Sequence, residues 1–355
     1  MNRRQILTLS IVGTRPQFMK LAPLIWSIRR VEPLFQHLVL HSGQHFDHNM
    51  SDIFLKEFDI GRPDIKLFNE FEEFDLKSMS ERMRSQVSMV KPNLLIVYGD
   101  TFTTMAGAEC GLELGIPVAH IEAGLRSFDL TMPEERIRKA VDEISEIKFA
   151  PTKTAIFNLN NENLERNSFL VGNIMIEALL SLLPTDVGAK SERSGFTCTL
   201  HRPSNVDNSE RLSYILNKLE LFRHDINVYA HPRLKMRIEE FGLEIPKNLS
   251  IHNPLGYIEF IERLKNSEGL ITDSGGLQNE AFVLGVPTLV VRENTEWPET
   301  FDGKFMILDP NLQELKSGIW PPQVRARTLP AKGNELPSDS IIRILNDYLS
   351  SGHPS

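Results

Sequence analysis

The chain has 355 residues, a formal net charge of −8, 41% hydrophobic and 24% charged residues. This composition excludes disordered and fibrous classes, and the acidic balance speaks against a surface built to bind nucleic acid. The length exceeds that at which a single core usually stops growing, so two domains of about 150 to 200 residues are expected.

The first element is an apolar run, Ile6 to Val12, behind a basic start, MNRRQ. It ends in Gly13-Thr14-Arg15-Pro16 with no small-residue cleavage site, so it reads as a buried strand rather than a signal peptide. Gln36 to Leu40, Leu94 to Tyr98, Val118 to Ile121 and Lys148 to Ala150 continue the strand series, with helical patterns such as Phe18 to Arg30 and Met79 to Val90 between them. Short apolar runs alternating with helices predict a parallel, doubly wound sheet. The pattern restarts at Thr197 to Leu200, then Asn227 to Ala230, Leu249 to His252, Gly269 to Thr272 and Thr288 to Val291, with helices near 209–223, 257–266 and 276–284. The expected class is therefore α/β with two Rossmann-like domains, over 1–180 and 195–335. A polar stretch near Ser181 to Ser194, with Pro184 and Gly188, reads as the hinge. A final amphipathic helix over 338–353 is expected to pack back on the first domain. No run reaches the roughly 18 apolar residues needed to cross a membrane. Cys110 and Cys198 lie in apolar runs without metal-ligand spacing, so a reducing, cytoplasmic setting and no metal site are expected.

In open α/β sheets ligands bind beyond the carboxyl ends of the strands, and several strands here stop abruptly in polar residues. The first domain offers Arg15 and Lys20 around a glycine turn and helix start, suited to an anion. Next comes Asp100 in Tyr98-Gly99-Asp100-Thr101, which could equally be a helix N-cap. Glu122 and Arg126 follow in His120-Ile121-Glu122-Ala123-Gly124-Leu125-Arg126, and then Glu134 in Met132-Pro133-Glu134-Glu135. Glu134 and Glu135 could instead complement a helix dipole. Asp100, Glu122 and Glu134 map to one sheet edge; converging carboxylates would raise at least one pKa toward the range useful for acid–base work. The second domain offers His201 and Arg202 at one strand end and His231 at the next. Ser274-Gly275-Gly276 opens a helix as a cradle of backbone N–H groups, Glu280 lies one turn on, and Arg292 follows the next strand.

Taken in order, GTRPQFMKLAPL, SGQHFDHNMSDIF, VYGDTFTT, HIEAGLRSFD, MPEE, TLHRPSNVDN, HPR, PLGYIEF, TDSGGLQNEA, LGVP and RENTEWPE make the sequence resemble the non-hydrolysing UDP-N-acetylglucosamine 2-epimerases, from Val12 to about Leu308. The resemblance implies glycosyltransferase-B architecture, two facing Rossmann-like domains with an interdomain cleft. It also implies C2 epimerisation of a UDP-sugar through UDP elimination and a 2-acetamidoglucal, with no nicotinamide or other cofactor, in a homodimer. By resemblance, Asp100, Glu122 and Glu134 handle protons and His201 supports the departing diphosphate or the sugar. Arg15 and Lys20 then lie near sugar and phosphate, Ser274, Gly275 and Gly276 hold diphosphate, and Glu280 holds ribose.

The sequence departs from the family pattern in four places. Ile137 stands where an asparagine is usual and Glu143 where a histidine is usual. Asn69 to Met83 lacks the family's glycine-rich segment with its Gln-Thr. Pro203 replaces a second arginine that, with residues near Gln44-His45, serves members activated by a second UDP-GlcNAc, so such activation is not expected here. Three other readings stay open: an epimerase of a modified UDP-GlcNAc such as a diacetamido uronate, a glycosyltransferase needing an acceptor, and a non-catalytic UDP-sugar-binding protein.

Overall fold

The computed structural model describes residues 6–44, 54–68, 75–183, 195–317, 320–321 and 335–351. The chain divides into two compact units, Met1–Leu183 with Lys332–Ser355, and Pro184–Ala331. Most of the expected hinge, 184–194, lies outside the described residues.

The first unit is built on a seven-stranded parallel sheet in the order β3-β2-β1-β4-β5-β6-β7. Its strands are β1 (Ile6–Val12), β2 (Phe35–His41), β3 (Ile65–Lys66), β4 (Leu94–Tyr98), β5 (Val118–Ile121), β6 (Ile147–Ala150) and β7 (Ser168–Leu170). All five residues of β4 and all four of β5 are buried, so β4 reads as an unbroken apolar run and β5 as one interrupted by His120 alone. Helices Arg15–Val31, Leu76–Val90, Phe102–Leu114 and Pro133–Ile144 follow strands and bury their apolar stripes against the sheet.

The second unit repeats this topology as a six-stranded parallel sheet, β10-β9-β8-β11-β12-β13. Its strands are β8 (Phe196–Thr199), β9 (Ile226–Tyr229), β10 (Leu249–His252), β11 (Gly269–Thr272), β12 (Thr288–Val290) and β13 (Met306–Leu308). In each unit the strand that comes first in the chain lies inside the sheet, and the order reverses there: β1 neighbours β2 and β4, β8 neighbours β9 and β11. That reversal is where a doubly wound sheet opens a crevice for ligand.

Three strands, β3, β7 and β13, escape the sequence pattern. Each has only two or three residues and each closes a sheet edge, so none carries a periodic apolar run long enough to read.

The C-terminal helix Pro337–Ser350 belongs to the first unit and packs against Arg15–Val31 and Ile174–Leu182. Buried Glu177 caps it, accepting from the Ser338 N–H at 2.8 Å and the Ser338 hydroxyl at 2.5 Å. Asp339 accepts from the Ser27 hydroxyl at 2.6 Å and pairs with Arg30. Cys110 and Cys198 are both buried free thiols, and burial pushes the Cys110 thiol up to about 11. Among the described residues no helix is long and apolar enough to cross a membrane.

Candidate active site

In the first unit the ends of β1, β4 and β5 are tied together by buried side chains. Gln17, in the first turn after β1, accepts from the Gly13 N–H at 2.8 Å and the Thr14 N–H at 3.1 Å. Its amide nitrogen faces the Tyr98 carbonyl (3.1 Å) and the hydroxyls of Thr101 and Thr104 (3.0 Å each). One glutamine therefore fixes the glycine turn of β1 against the turn that follows β4. Lys20, one turn on, is buried, and its ammonium lies 2.6 Å from Glu122 Oε1.

Gly99 turns the chain after β4 with φ of 64°. A Cβ there would meet the Lys20 ammonium at 2.7 Å, so glycine is required both for the left-handed backbone and for the approach of that lysine. Thr101, rather than Asp100, is the N-cap of helix Phe102–Leu114. The Asp100 carboxylate is thus free of capping duty and accepts from Arg138 at 2.5 Å.

Glu122 sits at the end of β5 in the left-handed region, φ 76°, an uncommon conformation that costs a non-glycine residue about 1–3 kcal/mol. The Phe149 carbonyl holds it there, accepting from both the Glu122 and Ala123 N–H groups at 3.1 Å. Its Oε2 is buried with no partner among the described residues. Burial raises the Glu122 pKa, Lys20 opposes that rise, and the nearby Asp100 charge adds to it.

Two expected residues behave differently. Arg126 is placed as a buried strut: it donates to Glu162 at 3.0 and 2.6 Å and to the Leu125 carbonyl, and pairs with Asp142 at 2.8 Å. A guanidinium so fully engaged has no fork left for a ligand. The convergence expected of three carboxylates is met by Asp100 and Glu122 only. Glu134 is exposed on the first turn of its helix, and it is Glu135 that turns inward. Glu135 accepts from Ser127 N–H (2.8 Å), the Ser127 hydroxyl (2.9 Å), Phe128 N–H (3.0 Å) and Arg138 (2.9 Å). It folds the 125–132 loop back on the helix and hands Arg138 to Asp100. The i, i+3 spacing of Glu135 and Arg138 is the sequence signal that could have found this pair. Arg15, at the start of the helix, is half-buried and lies over the Phe54 ring, 5.3 Å from its centroid.

In the second unit the organising group is Asp273, a wholly buried residue that the sequence motif contained without marking. It accepts from the His201 N–H at 3.1 Å, the Arg202 N–H at 3.0 Å and the Asn205 amide at 3.1 Å, and His201 Nδ1 lies 3.1 Å from Oδ1. Burial alone would raise its pKa, but His201 and these donors outweigh burial and leave it lowered. His201 is thereby held at the rim, 44% exposed, with the His231 ring 6.5 Å away. Arg202 donates to the Asp273 carbonyl at 2.9 Å.

Ser274 caps helix Gly275–Leu284, and the N–H groups of Gly275 and Gly276 have no partner among the described residues. A Cβ on Gly275 would lie 2.1 Å from Glu296 Oε1 and 3.2 Å from Arg292 Nη1, so glycine here admits the Arg292–Glu296 pair (2.7 Å) against the helix start. Arg292 is buried, and its Nη1 has no partner among the described residues. Two open N–H groups, a helix N-terminus and a spare guanidinium donor form an anion cradle. Glu280, one turn further, is buried and accepts from the Tyr257 hydroxyl at 2.8 Å; burial pushes its carboxyl up to about 7.

Of the departures from the family pattern, Ile137 packs in the apolar core with Val141, and Glu143 is exposed on the same helix. Pro203 takes the first position of the short helix Pro203–Val206, a position suited to proline. Gln44 spends its carbonyl on Thr103, accepting from N–H at 2.9 Å and hydroxyl at 2.7 Å; His45 lies outside the described residues. Within 69–83, residues 69–74 also lie outside the described residues, and the rest runs into helix Leu76–Val90. Among the described residues no group of three or more His, Cys, Asp or Glu side chains is placed to hold a metal ion.

Comparison with known proteins agrees with this arrangement. The family description for UDP-N-acetylglucosamine 2-epimerase matches residues 29–316. A "UDP-N-acetylglucosamine 2-epimerase homolog" of Methanococcus maripaludis is 38% identical over 326 residues, covering 87% of this chain and 90% of that protein. The UDP-2,3-diacetamido-2,3-dideoxy-D-glucuronate 2-epimerase of Pseudomonas aeruginosa is 39% identical over 304 residues, covering 82% and 84%. The crystal structure of Methanocaldococcus jannaschii UDP-GlcNAc 2-epimerase in complex with UDP-GlcNAc and UDP superposes with a TM-score of 0.83 at 35% identity, covering 96% of this chain and all of that one. The two parallel-sheet units are thus of glycosyltransferase-B type, and the chain belongs to the UDP-N-acetylglucosamine 2-epimerase family.

Proposed function

We propose that this epimerase interconverts UDP-N-acetylglucosamine and UDP-N-acetylmannosamine. The observation that carries the reading is Glu122: a strained, buried carboxylate whose second oxygen has no partner among the described residues, beside Lys20 and Asp100. A carboxylate with a raised pKa and a free oxygen is equipped to take and return a proton. In the forward direction a carboxylate of the first unit removes the C2 proton as the C1–O bond to the diphosphate breaks. The products of that step are UDP and 2-acetamidoglucal, with a C1–C2 double bond. A proton then returns to C2 on the opposite face, and the diphosphate oxygen re-forms its bond to C1. Glu122 and Asp100 serve as the proton-handling pair, and Glu134 serves as a further carboxylate.

The second unit supplies the leaving group's support. The Gly275 and Gly276 N–H groups, Ser274 and Arg292 hold the diphosphate, Glu280 accepts from ribose hydroxyls, and His201, Arg202 and His231 meet the charge that builds as UDP departs. Arg15 and Lys20 lie near the sugar and the phosphate that carries it. The enzyme works without a cofactor, as a cytoplasmic homodimer feeding polysaccharide synthesis. Proton NMR of the protein with UDP-GlcNAc tests this: the anomeric signal of UDP-ManNAc must grow without an acceptor, and a reaction that starts only when an acceptor is added would contradict it. The 39% identity to the diacetamido uronate epimerase favours a second reading, in which the substrate is a modified UDP-GlcNAc. Turnover of the two nucleotide sugars in parallel separates the readings.

A further inference from the structure

His120 lies in β5, wholly buried, with both ring nitrogens engaged. Nδ1 is 2.7 Å from Asp142 Oδ1 and Nε2 is 2.8 Å from the Gly99 carbonyl oxygen. A backbone carbonyl can only accept. Asp142 is an acceptor as well: its Oδ2 accepts from the Gly124 N–H at 3.0 Å and pairs with Arg126 at 2.8 Å, contacts that suit a carboxylate. Neutral imidazole has one donor and one acceptor nitrogen, so it would leave one of these contacts as two lone pairs facing each other. Only the doubly protonated ring satisfies both. His120 and Asp142 then form a wholly buried ion pair at 2.7 Å, next to the Arg126–Asp142 pair at 2.8 Å.

The Gly99 carbonyl belongs to the peptide that joins Gly99 to Asp100, and that bond is trans. In a trans peptide the C=O and N–H point in opposite directions. With the carbonyl held by a buried cation, the Asp100 N–H is directed away from the ring, and it has no partner among the described residues. A cation on the carbonyl polarises the peptide and strengthens that N–H as a donor. It stands beside the Asp100 carboxylate, which Arg138 pairs, and near Glu122, which Lys20 pairs, so the local charges are already matched and a neutral oxygen is the acceptor that fits.

We propose that the Asp100 backbone N–H is a substrate-binding donor for a neutral oxygen of the pyranose, a hydroxyl or the acetamido carbonyl, and that His120, held as imidazolium by Asp142, is its positioning residue. This rests on the proposed UDP-sugar chemistry for its ligand but not for its protonation state.

Nitrogen-15 NMR of the histidine rings in the wild-type protein tests the first half. Both His120 nitrogens must show attached protons; a single protonated nitrogen overturns the proposal and needs no variant that folds. His120→Asn tests the second half by comparing affinity for UDP and for UDP-GlcNAc. UDP affinity should stay within twofold, while the advantage of UDP-GlcNAc over UDP should shrink roughly tenfold, the worth of one hydrogen bond to a strong donor. An unchanged ratio, or equal losses for both ligands, overturns it. His120→Gln, whose amide can still donate to the Gly99 carbonyl, should recover part of the ratio. If the wild type never turns over UDP-GlcNAc, the epimerase reading fails while the ring measurement remains decisive.

Discussion

Lys20 and Glu122 form a buried ion pair at 2.6 Å, with side chains 5% and 9% exposed, and the pair leaves one carboxylate oxygen of Glu122 without a partner among the described residues. Lys20 lowers the Glu122 pKa against the pull of burial. Replacing it in Lys20→Met should raise that pKa further, so Glu122 stays protonated to higher pH. The acid limb of kcat/KM against pH should therefore move upward; a limb that stays in place would remove Glu122 as the base.

Arg126 and Glu135 should matter for folding rather than for ligand. Arg126→Met leaves Asp142 with only His120 and the Gly124 N–H, and Glu162 with only Lys139, so a loss of about 3 kcal/mol, the low end for breaking a buried ion pair, is expected. Chemical denaturation should show that loss, with UDP affinity of the folded fraction unchanged. Glu135→Gln should likewise destabilise the protein. Exposed Glu134→Gln should leave the midpoint unmoved and cut turnover about a hundredfold, the size expected for one acid–base group.

Asp273→Asn removes the carboxylate that accepts from the His201 and Arg202 N–H groups. Its substituted amide points an N–H2 group at existing donors on at least one side, so a loss of about 1–3 kcal/mol is expected. Turnover should fall more than UDP affinity, because His201 loses its orientation while the Gly275–Gly276 cradle stays. Calorimetry and kinetics on the same preparation read both.

Glu280 gives a pH signature of its own. Its folded pKa is about 7, above the 4.5 of the free side chain, so between those values the folded state holds a proton that the unfolded state has released. Stability from this group is full below about 4.5 and is lost as pH rises to about 7, on the order of 3 kcal/mol over the window. Glu280→Gln should flatten that part of the stability curve. If ionised Glu280 accepts from ribose, UDP-GlcNAc binding near pH 7 should release a proton, read by titration calorimetry in buffers of different ionisation enthalpy. Tyr257→Phe removes a hydrogen bond that lowers this pKa and should move the transition upward.

The long buried strands were legible because parallel strands covered on both faces are unbroken apolar runs, as in Leu94–Tyr98. The edge strands β3, β7 and β13 were not, because two or three residues carry no period. Strand-end polar residues were found by rule, but the rule cannot say which way a side chain turns. Arg126 and Glu134 show this: one residue's difference along a helix put Glu135 inside and Glu134 outside, and Arg126 was claimed by Asp142 and Glu162, distant in sequence. Gln17 and Asp273 were missed for a related reason. Their work is to tie together turns 81 and 72 positions apart, and only the folded sheet brings those turns together.

The central claim is that Asp100 and Glu122 move the C2 proton of a UDP-sugar. Incubation with UDP-GlcNAc in heavy water, followed by NMR, tests it most directly. The wild type should replace the C2 proton with deuterium in both UDP-GlcNAc and UDP-ManNAc, with Glu122→Gln and Asp100→Asn at least a hundredfold slower. A C2 position that stays protonated after long incubation, or variants that exchange as fast as the wild type, would contradict it.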